Sequence, residues 1–347
     1  MRIDSKEKLM HKGVFQRKNS SDLIDSNKEN SMRQFGKDLT NNFIVKNGRK
    51  EYFVGSKGNN GANSQTMNCP PKLSTQITAN SDNSFKMIKR DNIVQFEDYR
   101  EMIIKYLNEL DISNTAYNNY LQIQNDISEK IRTVIIDWMI DVATQFNLLN
   151  ETLFLSVMIL DKYLEKVIVK KTEVQLIGIT TLFIASKYQE IYPPELIDFQ
   201  SRTNNAYSCG EIIQMEGKIL VALGFNIGFV TTHYILKLLE NMIKFKSEEL
   251  NLAQYFLFLG LSSYKMRFYQ SITQAISAVY AAVKIISKDK EIFNKLNSIM
   301  GIEEMEIKKC SWDLIKLFQS VNSLGIPYTI QKFSEEKYNK IASMKIG

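Results

Sequence analysis

The sequence predicts an all-α protein: two tandem helical bundles behind a long polar N-terminal tail. Three observations carry this. Thr172 to Glu190 (TEVQLIGITTLFIASKYQE) would be apolar almost all round as a helix, and such a helix is stable in water only when other helices surround it. A second stretch of the same kind starts at Ser271, with Gln274 standing 99 residues after Gln175. After residue 96 no alternation of period two is sustained and turn dipeptides are few, so no strand competes.

Residues 1–95 are expected to be a disordered tail. They hold 17 Lys and Arg against 9 Asp and Glu, a net of +8, and no apolar periodicity. The other 252 residues carry 27 against 29, so the ordered part is close to neutral. Low hydrophobicity with dilute positive charge cannot bury enough surface to fold. The first ordered segment expected is 97–111 (EDYREMIIKYLNELD), which is amphipathic. In 128–146, Ile131, Val134, Ile135 and Trp138 recur at helical spacing on one face. Asn150 is read as the cap of a helix over 151–168, striped by Leu153, Val157, Leu160, Leu164 and Val167.

The central helix follows, with Thr172 and Gln175 spaced as a capping box. It surfaces at Lys187 and Glu190 and is stopped by Tyr192-Pro193-Pro194. Ser208 and Glu211 form another box ahead of 209–223, and Gly224 stands where a helix-ending glycine belongs. Phe225 to Thr231 reads as a linker. Helices are then expected over 232–244, 248–265, 271–287, 291–298 and 303–322, the third opened by Ser271 and Gln274 as a box.

Catalytic chemistry is not encoded in any recognisable pattern. There is no glycine-rich phosphate loop, no nucleophile elbow and no HExxH, and the reading is that the chain is not an enzyme. With two histidines, His11 and His233, and three scattered cysteines, Cys69, Cys209 and Cys310, no metal site has ligand spacing. No cofactor is expected. The cysteine pattern fits a reducing compartment, and neither a signal peptide nor a membrane span is expected. The tail's charge lacks the aromatic interleaving of a nucleic-acid binder. What remains is charge at helix rims: Lys187 at the end of the central helix, and Glu216 read as lying in an apolar stripe, where a carboxylate is costly unless paired or used. Arg132, Asp137 and Asp161 are read as structural polar groups that satisfy each other or helix ends.

The segment IRTVIIDWMIDV resembles the cyclin-box signature of A- and B-type cyclins. NETLFLSVMILDKYL, QLIGITTLFIASKYQEIYPPE and QMEGKILVALGF follow with that family's spacing. Five positions by which the box is recognised are all present: Arg132, Asp161, Leu176, Lys187 and Glu216. The run YTIQKFSEEKYNKIA resembles the end of a B-type cyclin. The resemblance covers the chain from about residue 96 and implies two five-helix cyclin boxes, over 96–227 and 228–347. It implies a regulatory subunit that activates a cyclin-dependent protein kinase. Lys187 and Glu216 would hydrogen-bond the kinase backbone near its regulatory helix, while Ile184, Tyr188, Leu220, Phe225 and Ile227 supply apolar contact.

A second surface implied by the resemblance docks Arg-x-Leu segments of substrates or inhibitors. It maps to Ile131, Val134, Ile135, Trp138, Asp141, Lys171 and Gln175, with Ile131 in place of the usual Met, Lys171 of an Arg and Asp141 of a Glu. In the tail, Lys28-Glu29-Asn30 matches a KEN box, and the segment from Arg33 through Leu39 to Asn41 is similar to a destruction box with Gly36 at its fourth position. Both imply recognition by the anaphase-promoting complex, mitotic timing, and a protein of nucleus and cytoplasm. Two alternatives differ in class. A cyclin-fold transcription-initiation factor would need a zinc ribbon and basic helices, and a helical scaffold without a kinase leaves Lys187 and Glu216 unused.

Overall fold

A computed structural model describes residues 91–114, 119–300 and 302–344. The expected tail motifs, Lys28-Glu29-Asn30 and Arg33 to Leu39, lie outside the described residues. Twelve α-helices run through the described residues, with short 3-10 turns and no strands. They are α1 (Asp91–Asn114), α2 (Glu129–Gln145), α3 (Asn150–Lys166), α4 (Val174–Gln189), α5 (Leu196–Arg202), α6 (Cys209–Ala222), α7 (Thr232–Met242), α8 (Ser247–Ser262), α9 (Ser271–Ile286), α10 (Lys290–Met300), α11 (Glu304–Gln319) and α12 (Pro327–Phe333). Residues 91–103 of α1 belong to a unit separate from the body that runs from Ile104. That body carries everything described below.

The body is two bundles of five, α2–α6 and α7–α11. In the first, α4 is the axis: every residue from Val174 to Ser186 is buried, against α2, α3, α5 and α6. Its hydroxyls are satisfied within the helix, Thr180 bonding Leu176 O at 2.7 Å and Ser186 bonding Phe183 O at 2.9 Å. Gly178 lets α2 come close: a Cβ there would stand 3.1 Å from Ile135 Cγ1 and 3.4 Å from Met139 Sδ. In the second bundle α9 has the same place, packed on α7, α8, α10 and α11. Its Ala275, Ala278, Ala281 and Ala282 are fully buried, and these small side chains let the neighbours approach.

Helix membership differs from the sequence expectation in two places. α5 and α12, each seven residues long, are too short to show a periodic signal. Helix entrances differ too. The Thr172–Gln175 box does not form: α4 starts at Val174 after a 3-10 turn over Lys171–Glu173, and Glu173 accepts the Lys170 N–H at 3.3 Å. Asn150 is the first residue of α3 rather than its cap, and Glu190 accepts the Leu149 N–H at 2.8 Å. Ser271 and Gln274 form no box either; the N–H of Ile272 is taken at 2.9 Å by Asp111 from α1. Ser208 and Glu211 do cap α6 reciprocally, at 2.9 and 3.3 Å.

The bundles are joined by buried polar contacts from α2 and α3. Arg132 binds both oxygens of Asp161, at 2.9 and 2.7 Å. It also donates to Leu261 O at 3.1 Å and Ser262 O at 3.4 Å, at the end of α8. Tyr120 donates to Asp161 at 2.7 Å. Asp137 caps α12, accepting from Tyr328 N at 3.1 Å, Thr329 N at 2.9 Å and Thr329 Oγ1 at 2.6 Å. All three residues read as structural therefore hold helices together, Arg132 across the two bundles and Asp137 between the first bundle and α12.

Candidate functional site

The site is built where α4 and α6 end side by side. Lys187 is in the last turn of α4 and lies over the Phe183 ring, 4.0 Å from its centroid. Its ammonium is ion-paired with Glu216 of α6. The Lys187 side chain is partly exposed and that of Glu216 mostly covered. The buried residues of α6 are Ile212, Met215 and Ile219; Glu216 lies at the edge of that stripe rather than within it, half-buried like Leu220, while Ile213 and Gly217 are exposed beyond it. The pair thus sits at the surface as a preformed charge where α4 and α6 end.

Tyr188, Ile191, Tyr192, Ile197, Ile213, Val221 and Phe225 are all exposed, Tyr192 to 91% and Phe225 to 69%. Exposed large apolar side chains gathered on neighbouring elements point to an interaction surface. Phe225 is presented by the way α6 ends. Gly224 takes φ +60° and Phe225 φ +59°, the Phe225 N–H reaches Leu220 O at 2.8 Å, and Gly224 N–H reaches Val221 O at 3.0 Å. These are the two bonds of a Schellman stop. A phenylalanine in the left-handed region is strained, and here the cost holds an aromatic ring outward. Gly228 brings the following segment against Tyr188, whose hydroxyl is 3.4 Å from where a Cβ would be.

One expected member falls elsewhere, and so does the second charge at the end of α4. Ile184 is 3% exposed and belongs to the core of α4, so it is not available for contact; a helix buried all round leaves no outward side at that turn. Glu190 turns back and accepts from Leu149 N and Thr152 Oγ1, so only Lys187 of the two terminal charges faces outward. Leu220 and Ile227 are half-buried. Ile191, Tyr192, Ile213 and Val221 are additions. Their signal was present in the sequence: Ile213 and Val221 interrupt the polar face of an otherwise amphipathic α6.

The second surface lies on α2 and the entrance of α4. Ile131, Val134 and Asp141 are half-buried there and Lys171 is exposed. Ile135, Trp138 and Gln175 are buried; Ile135 points at Gly178 and is core rather than contact. Asp141 accepts from Gln145 Nε2 at 2.6 Å, and Gln145 in turn accepts from Arg202. Burial pushes the Asp141 carboxyl above its ordinary range against the pull of Gln145 and Arg202. Gln175 Oε1 is buried and meets no donor among the described residues, and an unmet buried acceptor costs about 1–3 kcal/mol.

Among the described residues no cluster of three or more His, Cys, Asp or Glu could hold a metal, and no helix is long and apolar enough to cross a membrane.

Two family models match the chain: the cyclin N-terminal domain over residues 102–228 and the cyclin C-terminal domain over residues 230–346. Neither is a catalytic family. The chain is 32% identical over 256 residues to a putative cyclin-A3-1 of Arabidopsis thaliana, covering 72% of each. It is 34% identical over 269 residues to a G2/mitotic-specific cyclin-B of Hydra vulgaris, covering 75% of this chain and 74% of that one. Against a G2/mitotic-specific cyclin-B of Dictyostelium discoideum the identity is 30% over 250 residues, or 72% of this chain and 57% of the relative. Among solved structures, a viral cyclin from herpesvirus saimiri superposes with a TM-score of 0.54 at 19% identity, over 62% of this chain and 97% of that one, a likeness of fold. Matched by both cyclin-domain models, and over 72% and 74% of the length of the Arabidopsis and Hydra relatives, the chain belongs to the cyclin family, among the A/B-type cyclins.

Proposed function

We propose that this cyclin is the activating subunit of a cyclin-dependent protein kinase and binds it through the Lys187–Glu216 face. The observation that carries the reading is a preformed ion pair on two helices that also expose several large apolar side chains. Apolar area supplies affinity, and two charges with hydrogen-bonding capacity to spare fix register against a partner backbone. A rigid surface of this kind acts by population shift: it favours the kinase conformation in which the regulatory helix is swung inward and its glutamate pairs with the ATP-positioning lysine. The cyclin performs no chemistry in this scheme.

The α2 surface is the substrate dock of the same reading, with Asp141 receiving a peptide arginine and Ile131 and Val134 flanking it. The tail, through Lys28, Glu29, Asn30, Arg33 and Leu39, is the target of the anaphase-promoting complex. Mitotic timing accords with relatives named G2/mitotic-specific, and nucleus and cytoplasm are the compartments this role requires.

The test is Lys187→Ala with Glu216→Ala in the full chain. Each charge-assisted bond to a partner is worth about 1.5–3 kcal/mol, so kinase association should weaken by a factor of roughly 100 or more with helix content unchanged. Undiminished activation of the kinase by the folded double variant would overturn the assignment of this face.

A further inference from the structure

The second bundle carries a surface that the kinase and substrate readings do not use. On α11, Met305, Lys309, Trp312 and Lys316 follow one another at spacings of four, three and four. Those intervals place all four on one stripe, turned away from Ile307, Cys310, Leu314 and Phe318, which are buried. Every member of the stripe is exposed, Met305 to 77% and Trp312 to 56%. A single exposed apolar residue needs no explanation. Two of the bulkiest, one turn-pair apart on the crest of a helix and separated by cations, form a pattern that local stability does not require.

Charge says what would cover it. The neighbouring lysines are occupied: Lys308 pairs with Glu304 and Lys265 with Asp313, both at 2.7 Å. Lys309 and Lys316 have no carboxylate at ion-pair distance among the described residues, and Lys316 rests 5.4 Å from the centroid of the Trp312 ring. We propose that the crest of α11 is a docking surface for an acidic amphipathic segment of another protein, with aliphatic groups on Met305 and Trp312 and carboxylates on Lys309 and Lys316. Tryptophan is the side chain most enriched among residues that dominate interface energy, and methionine adapts to an irregular partner. The flanking cations set orientation and association rate. Met305 to Lys316 spans about 16 Å at the helical rise, so the partner segment is about three helical turns. A second copy of this crest would set lysine against lysine, and the chain's own residues 1–95, with 17 Lys and Arg against 9 Asp and Glu, carry the wrong sign.

The chain has two tryptophans. Trp138 is buried and Trp312 exposed, so a change of tryptophan emission on adding a peptide reports on the crest. The probes are a 14-residue amphipathic peptide with leucines at the same spacing and glutamates between them, and its lysine counterpart, each titrated into the full chain. The glutamate peptide should move the emission to the blue and bind about tenfold tighter than the lysine peptide, weakening as salt is raised. Trp312→Phe should remove the signal, and Lys309→Glu with Lys316→Glu should reverse the preference; both changes are at exposed positions and leave the core intact. Equal binding of the two peptides, no shift with either, or a preference that survives the double charge reversal would overturn the proposal. So would a blue shift that grows with protein concentration alone, which assigns the crest to a second copy, or one produced by anionic lipid vesicles and not by the glutamate peptide.

Discussion

Arg132→Ala is a perturbation whose cost follows from the geometry. The guanidinium makes two bonds to Asp161, at 2.9 and 2.7 Å, and reaches Leu261 O at 3.1 Å. Removing it leaves a buried carboxylate with the Tyr120 hydroxyl at 2.7 Å and the Arg267 Nε at 3.9 Å. Breaking a buried ion pair from one side costs about 3–5 kcal/mol, and a carbonyl left without its donor adds about 1 kcal/mol at the lower end. A loss of roughly 4–6 kcal/mol is a large part of the 5–15 kcal/mol typical of a whole domain.

The sign with pH follows from Asp161. Burial alone would raise its carboxyl, but the charge and hydrogen bonds of Arg132 outweigh burial and hold it below the ordinary carboxylate range. Ionised Asp161 therefore favours the folded state above its unfolded value near 3.8, and that contribution is lost as pH falls through the lower folded value. In Arg132→Ala the shift should reverse, so its deficit relative to the native chain should narrow as pH is lowered from 7 toward 4. Urea unfolding followed by far-UV circular dichroism measures both effects. Arg132→Met combined with Asp161→Leu should cost less than Arg132→Ala, because no charge is then left alone. A deficit for Arg132→Ala under about 1 kcal/mol, or a double variant worse than the single, would refute the account.

Three further outcomes are expected. Burial raises the Asp137 carboxyl to about 6 despite its bonds from Thr329 and Tyr328, so its contribution to stability falls as pH rises from about 4 to 6; Asp137→Asn should gain on the native chain over that window, and a pH-independent difference between them would contradict it. Val134→Ala and Asp141→Asn should lower phosphorylation of Arg-x-Leu substrates about tenfold with little change for a short peptide lacking the motif, since docking raises effective concentration and not chemistry; equal loss on both substrates would mark the α2 surface as packing. Replacing Lys28, Glu29 and Asn30 by alanine should slow degradation in a mitotic extract, more so with Arg33 and Leu39 also replaced, whereas unchanged turnover with all five replaced would remove the tail from proteolysis.

The helical fold was readable because its evidence is local and repeated. A run apolar almost all round, such as Val174 to Ile184, has no stable exposed form, and small residues at Gly178 and along α9 announce close neighbours. The same property hid the orientation of single side chains. Ile135 and Ile184 sit on helices apolar on several faces, so spacing could not say which side of each meets solvent. Helix entrances were misread wherever the capping group came from afar. Thr172 and Ser271 have the right partner three residues on, but the spacing does not exclude the competitor that prevails, Asp111 at Ile272 N or Glu173 at Lys170 N. Glu216 was singled out correctly as unusual; it stands at the edge of the buried stripe, and Ile213 near it looks like core until α6 is seen to expose it.

The contacts from Asp137 to Thr329 and from Arg132 to Leu261 join residues 192 and 129 positions apart, and this has a consequence for synthesis on the ribosome. At about 5–20 residues per second, Thr329 is made roughly 10–40 s after Asp137. For that interval α2 is complete while its carboxylate lacks the helix it caps, and Arg132 waits similarly for the end of α8. Both are buried polar groups in the finished body, so the first bundle must pass its early life solvated along that seam. Closure of the seam comes last, when α12 arrives, and a nascent chain stalled short of residue 327 would hold four well-made helices around α4 and an open polar edge for chaperones to find.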